Sequence, residues 1–265
     1  MKTRIISALI AIILVVPILI KGGFIFDLAV YILSIIGLWE FLRVKNSKKE
    51  ISNFVKFISY VILTLILLLN ANNGFSYEMD YRLLSVIFIV FLIPTVLYHD
   101  RKKYSVNDAF YLIGGIFFIA ISMSLFIVVR NMGLSLFVYL ILISTMTDSF
   151  AYFTGMLIGK HKLIEEVSPK KTWEGMLGGT ILGSFIAVTF YLTVVDSSIS
   201  ILLISLVTIF LSIIGQFGDL VFSAIKRYFH VKDFSNIMPG HGGVLDRLDS
   251  IIFIMLAFTF LTGIL

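Results

Sequence analysis

Between Gly215 and Ser250 the chain holds more ionisable side chains than an apolar setting tolerates without a purpose. The stretch "GQFGDLVFSAIKR" sets Asp219, Ser223 and Lys226 at i, i+4 and i+7. On a helix, a carboxylate, a hydroxyl and an ammonium then share one face, with Arg227 beside them. Lys232 and Asp233 follow, then "PGHGG", in which Gly240, Gly242 and Gly243 allow backbone N–H groups to approach an anion closely. His241 in this turn suits a hydrogen-bond donor to phosphate better than a metal ligand. Asp246 and Asp249 come next, three residues apart and so on one helical face, with Arg247 between them. Either aspartate alone reads as an N-terminal cap favoured by the helix dipole. Acids from two helices, several cations and a glycine turn at one membrane boundary read together as a site for a divalent cation bridging to a polyphosphate. With no cysteine and only four histidines, oxygen ligands and Mg²⁺ are favoured over zinc. His99, His161 and His230 are expected at interfaces, without a catalytic role.

Upstream, "STMTDSFAYFTG" places Asp148 among hydroxyls inside an apolar run. A carboxylate near the centre of a spanning helix costs roughly 2.5–3.5 kcal/mol on insertion scales, so Asp148 should face the bundle interior or a wet cavity. Tyr152, Gly155 and Gly159 fall on its side of the helix. The plainer alternative is an aspartate that hydrogen-bonds a neighbouring helix. The connector "GKHKLIEEVSPKKTWEGMLGG" then supplies Lys160, Lys162, Lys170 and Lys171, and by itself reads as an ordinary basic loop.

The elements that must position these groups follow from composition. Of 265 residues, 59% are hydrophobic and 14% charged, against about 45–50% and about 25% in soluble domains. The reading is an all-α, polytopic integral membrane protein. Apolar runs at 3–20, 24–42, 54–70, 82–98, 109–129, 133–155, 175–195, 199–225 and 248–264 predict about nine transmembrane helices. A β-barrel is excluded because runs such as "VILTLILLL" do not alternate. The basic, apolar start resembles a signal peptide, but no small-residue cleavage site follows within "KGGFIFD", so a retained first helix is expected. With the N-terminus cytoplasmic, eighteen of the 21 lysines and arginines fall inside and Lys21, Arg82 and Arg130 outside. That bias puts the loops near 156–174 and 226–248 in the cytoplasm. The net charge of +5 reflects these inner loops and implies no nucleic-acid partner. Polar residues before about 130 sit in short connectors, whereas from about 140 onward they enter the helices themselves. Residues 1–130 therefore read as scaffold helices and 131–265 as the catalytic region.

The segment "SAIKRYFHVKDFSNIMPGHGGVLDRLD", Ser223 to Asp249, resembles the signature of the phosphatidate cytidylyltransferases, or CDP-diacylglycerol synthases: S-x-x-K-R-x4-K-D, a spacer, then H-G-G-x-x-D-R-x-D. "GKHKL", "SPKKTWEG" and "GQFGDL" are similar to segments that precede it in that family, and the likeness covers roughly residues 140–265. Two positions depart from the pattern. Met238 stands where Leu, Ile or Phe is usual, and Phe222 where many members have glutamate, which puts any role for that glutamate in doubt here. The resemblance implies transfer of CMP from CTP to phosphatidate, giving CDP-diacylglycerol and pyrophosphate. It also implies Mg²⁺ on Asp219 and Asp246, with room for a second cation. Lys226, Arg227, Lys232 and Arg247 would meet phosphates, and Asp148, Lys170 and Lys171 would complete the site. Ser223, Asp233, Asp249 and the turn from Gly240 through His241 and Gly242 to Gly243 join the substrate-binding set. The expected setting is the cell's inner (plasma) membrane, with the active site on the cytoplasmic side. A homodimer is among the assemblies open to such a chain. Two rival readings are a CTP-dependent polyprenol kinase, against which the full Lys226-to-Asp249 signature argues, and an ion-coupled transporter, whose paired repeats are not found.

Overall fold

The computed structural model describes residues 2–70, 81–98 and 104–262, with side chains described from residue 9 onward. Arg101, Lys102 and Lys103, counted above among the inner cations, lie outside the described residues, as does the end of the last apolar run at 263–264. The helices are α1 (Lys2–Lys21), α2 (Gly23–Asn46), α3 (Asn53–Asn70), α4 (Tyr81–Leu92), α5 (Pro94–Leu97), α6 (Val106–Met132), α7 (Leu134–Ile158), α8 (Trp173–Phe190), α9 (Ile201–Tyr228) and α10 (Leu245–Leu261). A hairpin of β1 (Lys162–Ile164) and β2 (Ser168–Thr172) separates α7 from α8, and a π-helical turn, Tyr191–Val195, ends α8. Each apolar run of the sequence thus becomes helix.

Among the described residues fewer than the nine expected are long and apolar enough to count as spans. Six helices among the described residues are long and apolar enough to cross a membrane: α2, α3, α6, α7, α8 with its π turn, and α9. The described apolar parts Leu9–Lys21 and Tyr81–Leu97 are shorter. In the second of these, Pro94 has no N–H to continue the ladder and sits at the first position of a new turn, so α4 stops at Leu92. In α10 the 17 described residues carry Asp246, Arg247 and Asp249 in their opening turns.

The chain forms two compact units: residues to Val128 together with Val231–Leu245, and Val129–His230 together with Asp246–Leu265. In the first, α2 meets α3 through a hydrogen bond between Tyr31 and Thr64 hydroxyls of 2.9 Å. It meets α6 through stacked Phe41 and Tyr111 rings, centroids 4.4 Å apart. At one end of this contact Asp108 of α6 is buried and neutralised by two cations of α2 and its following turn, Lys45 at 2.6 Å and Lys49.

In the second unit α8 lies against α7 along a glycine face. Gly175, Gly179 and Gly183, at i, i+4 and i+8, bring the two backbones together, as small residues do between helices that have no hydrophobic drive to associate in lipid. Polar rungs tie α9 to both: Tyr139 to Thr208 at 2.7 Å, Thr147 to Ser212 at 2.8 Å, and Gln216 Nε2 donating to Thr180 Oγ1 at 2.8 Å. Leu157, Leu177 and Phe185 stay exposed, as lipid-facing side chains would. In the hairpin, Lys162 stands opposite Thr172 and Ile164 opposite Ser168. Its base is closed by Glu174, which accepts from His161 Nδ1 at 2.6 Å and from the Lys160 amide at 3.1 Å. Thr172 then caps α8, its Oγ1 accepting from Gly175 N at 3.1 Å.

A methyl group at Gly183 would stand 2.8 Å from both Cα and N of Thr147, which are backbone atoms and cannot step aside. We expect Gly183→Ala to cost about 1–3 kcal/mol, as overpacking does, and to lower the thermal midpoint in detergent. Gly114→Ala, which meets nothing within 4 Å, should leave that midpoint unchanged or raised.

Candidate functional site

The most deeply held charges of the second unit are Lys226, 8% exposed, and Asp246, 6% exposed, joined at 2.7 Å. Their places follow from the helix dipoles. Lys226 stands in the last turn of α9, where partial negative charge accumulates, and Asp246 in the first turn of α10, where it is positive. Two turns back along α9, Asp219 meets Lys171 of β2 at 2.6 Å and accepts a hydrogen bond from Ser223 Oγ at 3.3 Å. The shared face of Asp219, Ser223 and Lys226 read from the sequence is thus realised, but its two ends take different partners. This second pair is more open, with about 30% of each side chain exposed.

Two of the acids named from the sequence, Asp148 and Asp249, stand near Asp219. Asp148 of α7 lies within electrostatic reach of Asp219, Lys171 and Arg247, and Asp249 within reach of Asp219, Lys226 and Asp148. Asp148 is accessible, not enclosed. Close approach of α9 to α10 makes this possible. A Cβ at Gly218 would fall 2.8 Å from the Asp249 carbonyl oxygen, and one at Gly215 2.8 Å from Ile254. The glycines of "GQFGD" are therefore demanded by packing. Phe222 is 1% exposed and packs edge-on against Phe253 of α10, 6.3 Å between centroids. Arg227, Arg247 and Lys170 are exposed.

Four carboxylates, Asp148, Asp219, Asp246 and Asp249, stand with Lys171, Lys226 and Arg247 in this unit. Their donor chemistry is that of a hard cation site, oxygen without sulfur. Among the described residues no three acidic or histidine side chains converge enough to cage an ion alone. Mg²⁺ in general takes one or two carboxylates and completes its shell with water and substrate phosphates.

The glycine turn belongs to the first unit. The amides of His241 and Gly242 both donate to the Met238 carbonyl, at 2.9 and 3.1 Å, and Met238 N donates back to Gly242 O at 3.0 Å. Gly240 and Gly242 have φ of 80° and 85°, a region costly for other residues. The amide of Gly242, read from the sequence as an anion donor, is thus engaged within the turn itself. Lys232 and Asp233 are exposed. Gly243 is pressed against Glu40 of α2, which sequence reasoning passed over: it saw nothing in the first 130 residues that converged on chemistry. The only signal was an acid inside the apolar "GLWEFLR".

A family model described as "Cytidylyltransferase family" matches residues 2–265. Similar curated proteins include the phosphatidate cytidylyltransferases of Staphylococcus haemolyticus, 37% identical over 259 residues, and Staphylococcus saprophyticus, 38% identical over 260. That of Staphylococcus aureus is 36% identical over 259 residues, and all three alignments cover 96% of both chains.

The buried pair generates a stability test. Breaking it from one side leaves an uncompensated charge, so Lys226→Met should cost about 3–5 kcal/mol and lower the thermal midpoint. Removing both charges in Lys226→Met/Asp246→Leu should restore most of that loss, because an apolar pair replaces the salt bridge at little net cost. A double variant no more stable than Lys226→Met would show that the two groups are not coupled.

Proposed function

The chain belongs to the cytidylyltransferase family, and we infer that it is a phosphatidate cytidylyltransferase: a multi-pass membrane enzyme that transfers CMP from CTP to phosphatidate, giving CDP-diacylglycerol and pyrophosphate. The observation that carries this reading is the family match along the whole chain to relatives of that name. The charged cluster at the ends of α9 and α10 has the chemistry such a transfer requires.

A phosphatidate oxygen, anionic at neutral pH, forms a bond to the α-phosphorus of CTP as the bond from that phosphorus to the β-phosphate oxygen breaks. No serine or histidine nucleophile and no strong base is needed, so positioning and charge neutralisation carry the rate. Lys226, immobilised by Asp246, presents its ammonium in a fixed place without reorganisation. Lys171 is held by Asp219 in the same manner, and Arg227 and Arg247 would bring further cations to the phosphates. Asp148, Lys170, Ser223 and Asp249 complete the substrate-binding set of the second unit. Asp219 and Asp246 would hold Mg²⁺, alone or with a second cation; when bound it supplies positive charge where pyrophosphate leaves. The acyl chains can remain in the bilayer while the headgroup reaches the polar ends of the helices. The N-terminal helices act as scaffold. The host is the cytoplasmic membrane, with the site on its inner face, a placement supported by the excess of lysine and arginine in the loops that bear the motifs.

Purified protein given radiolabelled CTP, phosphatidate and Mg²⁺ should yield labelled CDP-diacylglycerol. A lipid phosphate with CDP as the second product would instead identify a kinase. Asp219→Asn and Asp246→Asn keep shape and remove charge. Each should lower turnover by roughly two to three orders of magnitude, the scale of one preorganised electrostatic element, whereas Asp249→Asn should retain more activity. Near-normal turnover of the first two at saturating Mg²⁺ would remove the metal assignment.

Orientation is tested separately in this cysteine-free chain. A single cysteine replacing the exposed Glu166 of the hairpin should resist membrane-impermeant thiol reagents in intact cells and react after permeabilisation. Labelling in intact cells would reverse the orientation.

A further inference from the structure

Glu40 is fully buried in α2, at 0% exposure, and its carboxylate is held by three donors, none of them a cation. Ser235 Oγ donates to Oε1 at 2.5 Å, Val244 N to Oε1 at 2.8 Å and Leu245 N to Oε2 at 2.8 Å. A Cβ at Gly243 would fall 2.2 Å from Oε1, so the backbone there closes directly on the carboxylate. Leu245 also packs beneath, its Cδ2 3.3 Å from where a Cβ on Gly37 would be. One acid of α2 thus gathers both ends of the motif loop, Ser235 near its start and Val244 and Leu245 at its close.

Two of these donors are amides at the start of α10, which begins at Leu245. The first N–H groups of a helix lack partners within it and are ordinarily met by a side chain just before the helix. Here the acceptor comes from a helix about 200 residues away in sequence. A full negative charge on these amides makes the bonds stronger than a neutral cap would, and burying that charge is tolerable only because the donors surround it. Leu245 is the residue before Asp246. Whatever fixes its amide fixes where α10 starts and the direction in which Asp246 leaves the chain.

The geometry points to Glu40 as a positioning residue for the transfer reaction: it clamps the loop ahead of Asp246 and so sets the place from which Asp246 holds Lys226. The inference rests on the cytidylyltransferase reading. Asp246 contributes through a fixed geometry, so misplacing it should be felt in turnover more than in substrate binding.

The test is kinetics and amide exchange on detergent-purified full-length protein, with CTP, phosphatidate and Mg²⁺. Glu40→Gln keeps the volume but loses the charge and places an NH₂ among donors. It should lower kcat about ten- to a hundredfold, the scale of charged hydrogen bonds, with KM for CTP changed less than about threefold. Amide exchange should quicken in peptides covering 236–247 and stay as in the wild type elsewhere. Gly243→Ala, whose methyl would collide with the carboxylate, should lower kcat similarly. Adding Glu40→Asp, one methylene shorter, should restore part of that loss. Wild-type kcat in Glu40→Gln, a fall that merely tracks loss of folded protein, or a rise in KM at constant kcat would each overturn the assignment to Glu40. Failure of the wild type itself to form CDP-lipid would instead overturn the functional reading, and this one with it.

Discussion

A carboxylate at the edge of an oily helix bundle must find in the protein the partners it has lost in water, and this condition organises the chain. Asp246 is answered by Lys226, Asp108 by two lysines, Asp219 by Lys171 and a serine, and Glu40 by two amides and a hydroxyl. The pairing of Lys226 with Asp246 matters most. It joins the end of α9 to the start of α10 and holds an ammonium in a fixed place. Such a pair contributes little net stability over an apolar substitute, since desolvation offsets most of its attraction. Its value is that neither charge can wander.

Glycine appears wherever this arrangement requires backbones to come close or turn sharply, and the physical reason differs from place to place. At 240 and 242 it is a positive φ that closes a turn on Met238. At Gly218 it is the approach of α9 to a carbonyl of α10, and at Gly183 the crossing of α8 over Thr147. At Gly243 it is a carboxylate from α2 lying where a side chain would begin. A glycine-rich string in a sequence therefore does not by itself identify an anion cradle. Here "PGHGG" combines a tight turn with a clamp.

Much was legible in the residues alone. Composition and run length determined a helical membrane protein, because an apolar segment in lipid must satisfy its own backbone and does so as a helix. The i, i+4, i+7 spacing of Asp219, Ser223 and Lys226 determined a common face, because helical periodicity is local. The Ser223-to-Asp249 signature was specific enough to indicate the family before any coordinates. What sequence could not supply was which charge meets which, since a salt bridge depends on distance in space and not on spacing along the chain. Pairing of Asp219 with Lys171 reaches across the whole of α8 and much of α9 in sequence, and nothing in either motif announces it. Glu40 is the clearest case: in sequence it is one acid in an apolar run, and only folding brings Ser235, Val244 and Leu245 to it and turns an isolated liability into the anchor of the motif loop.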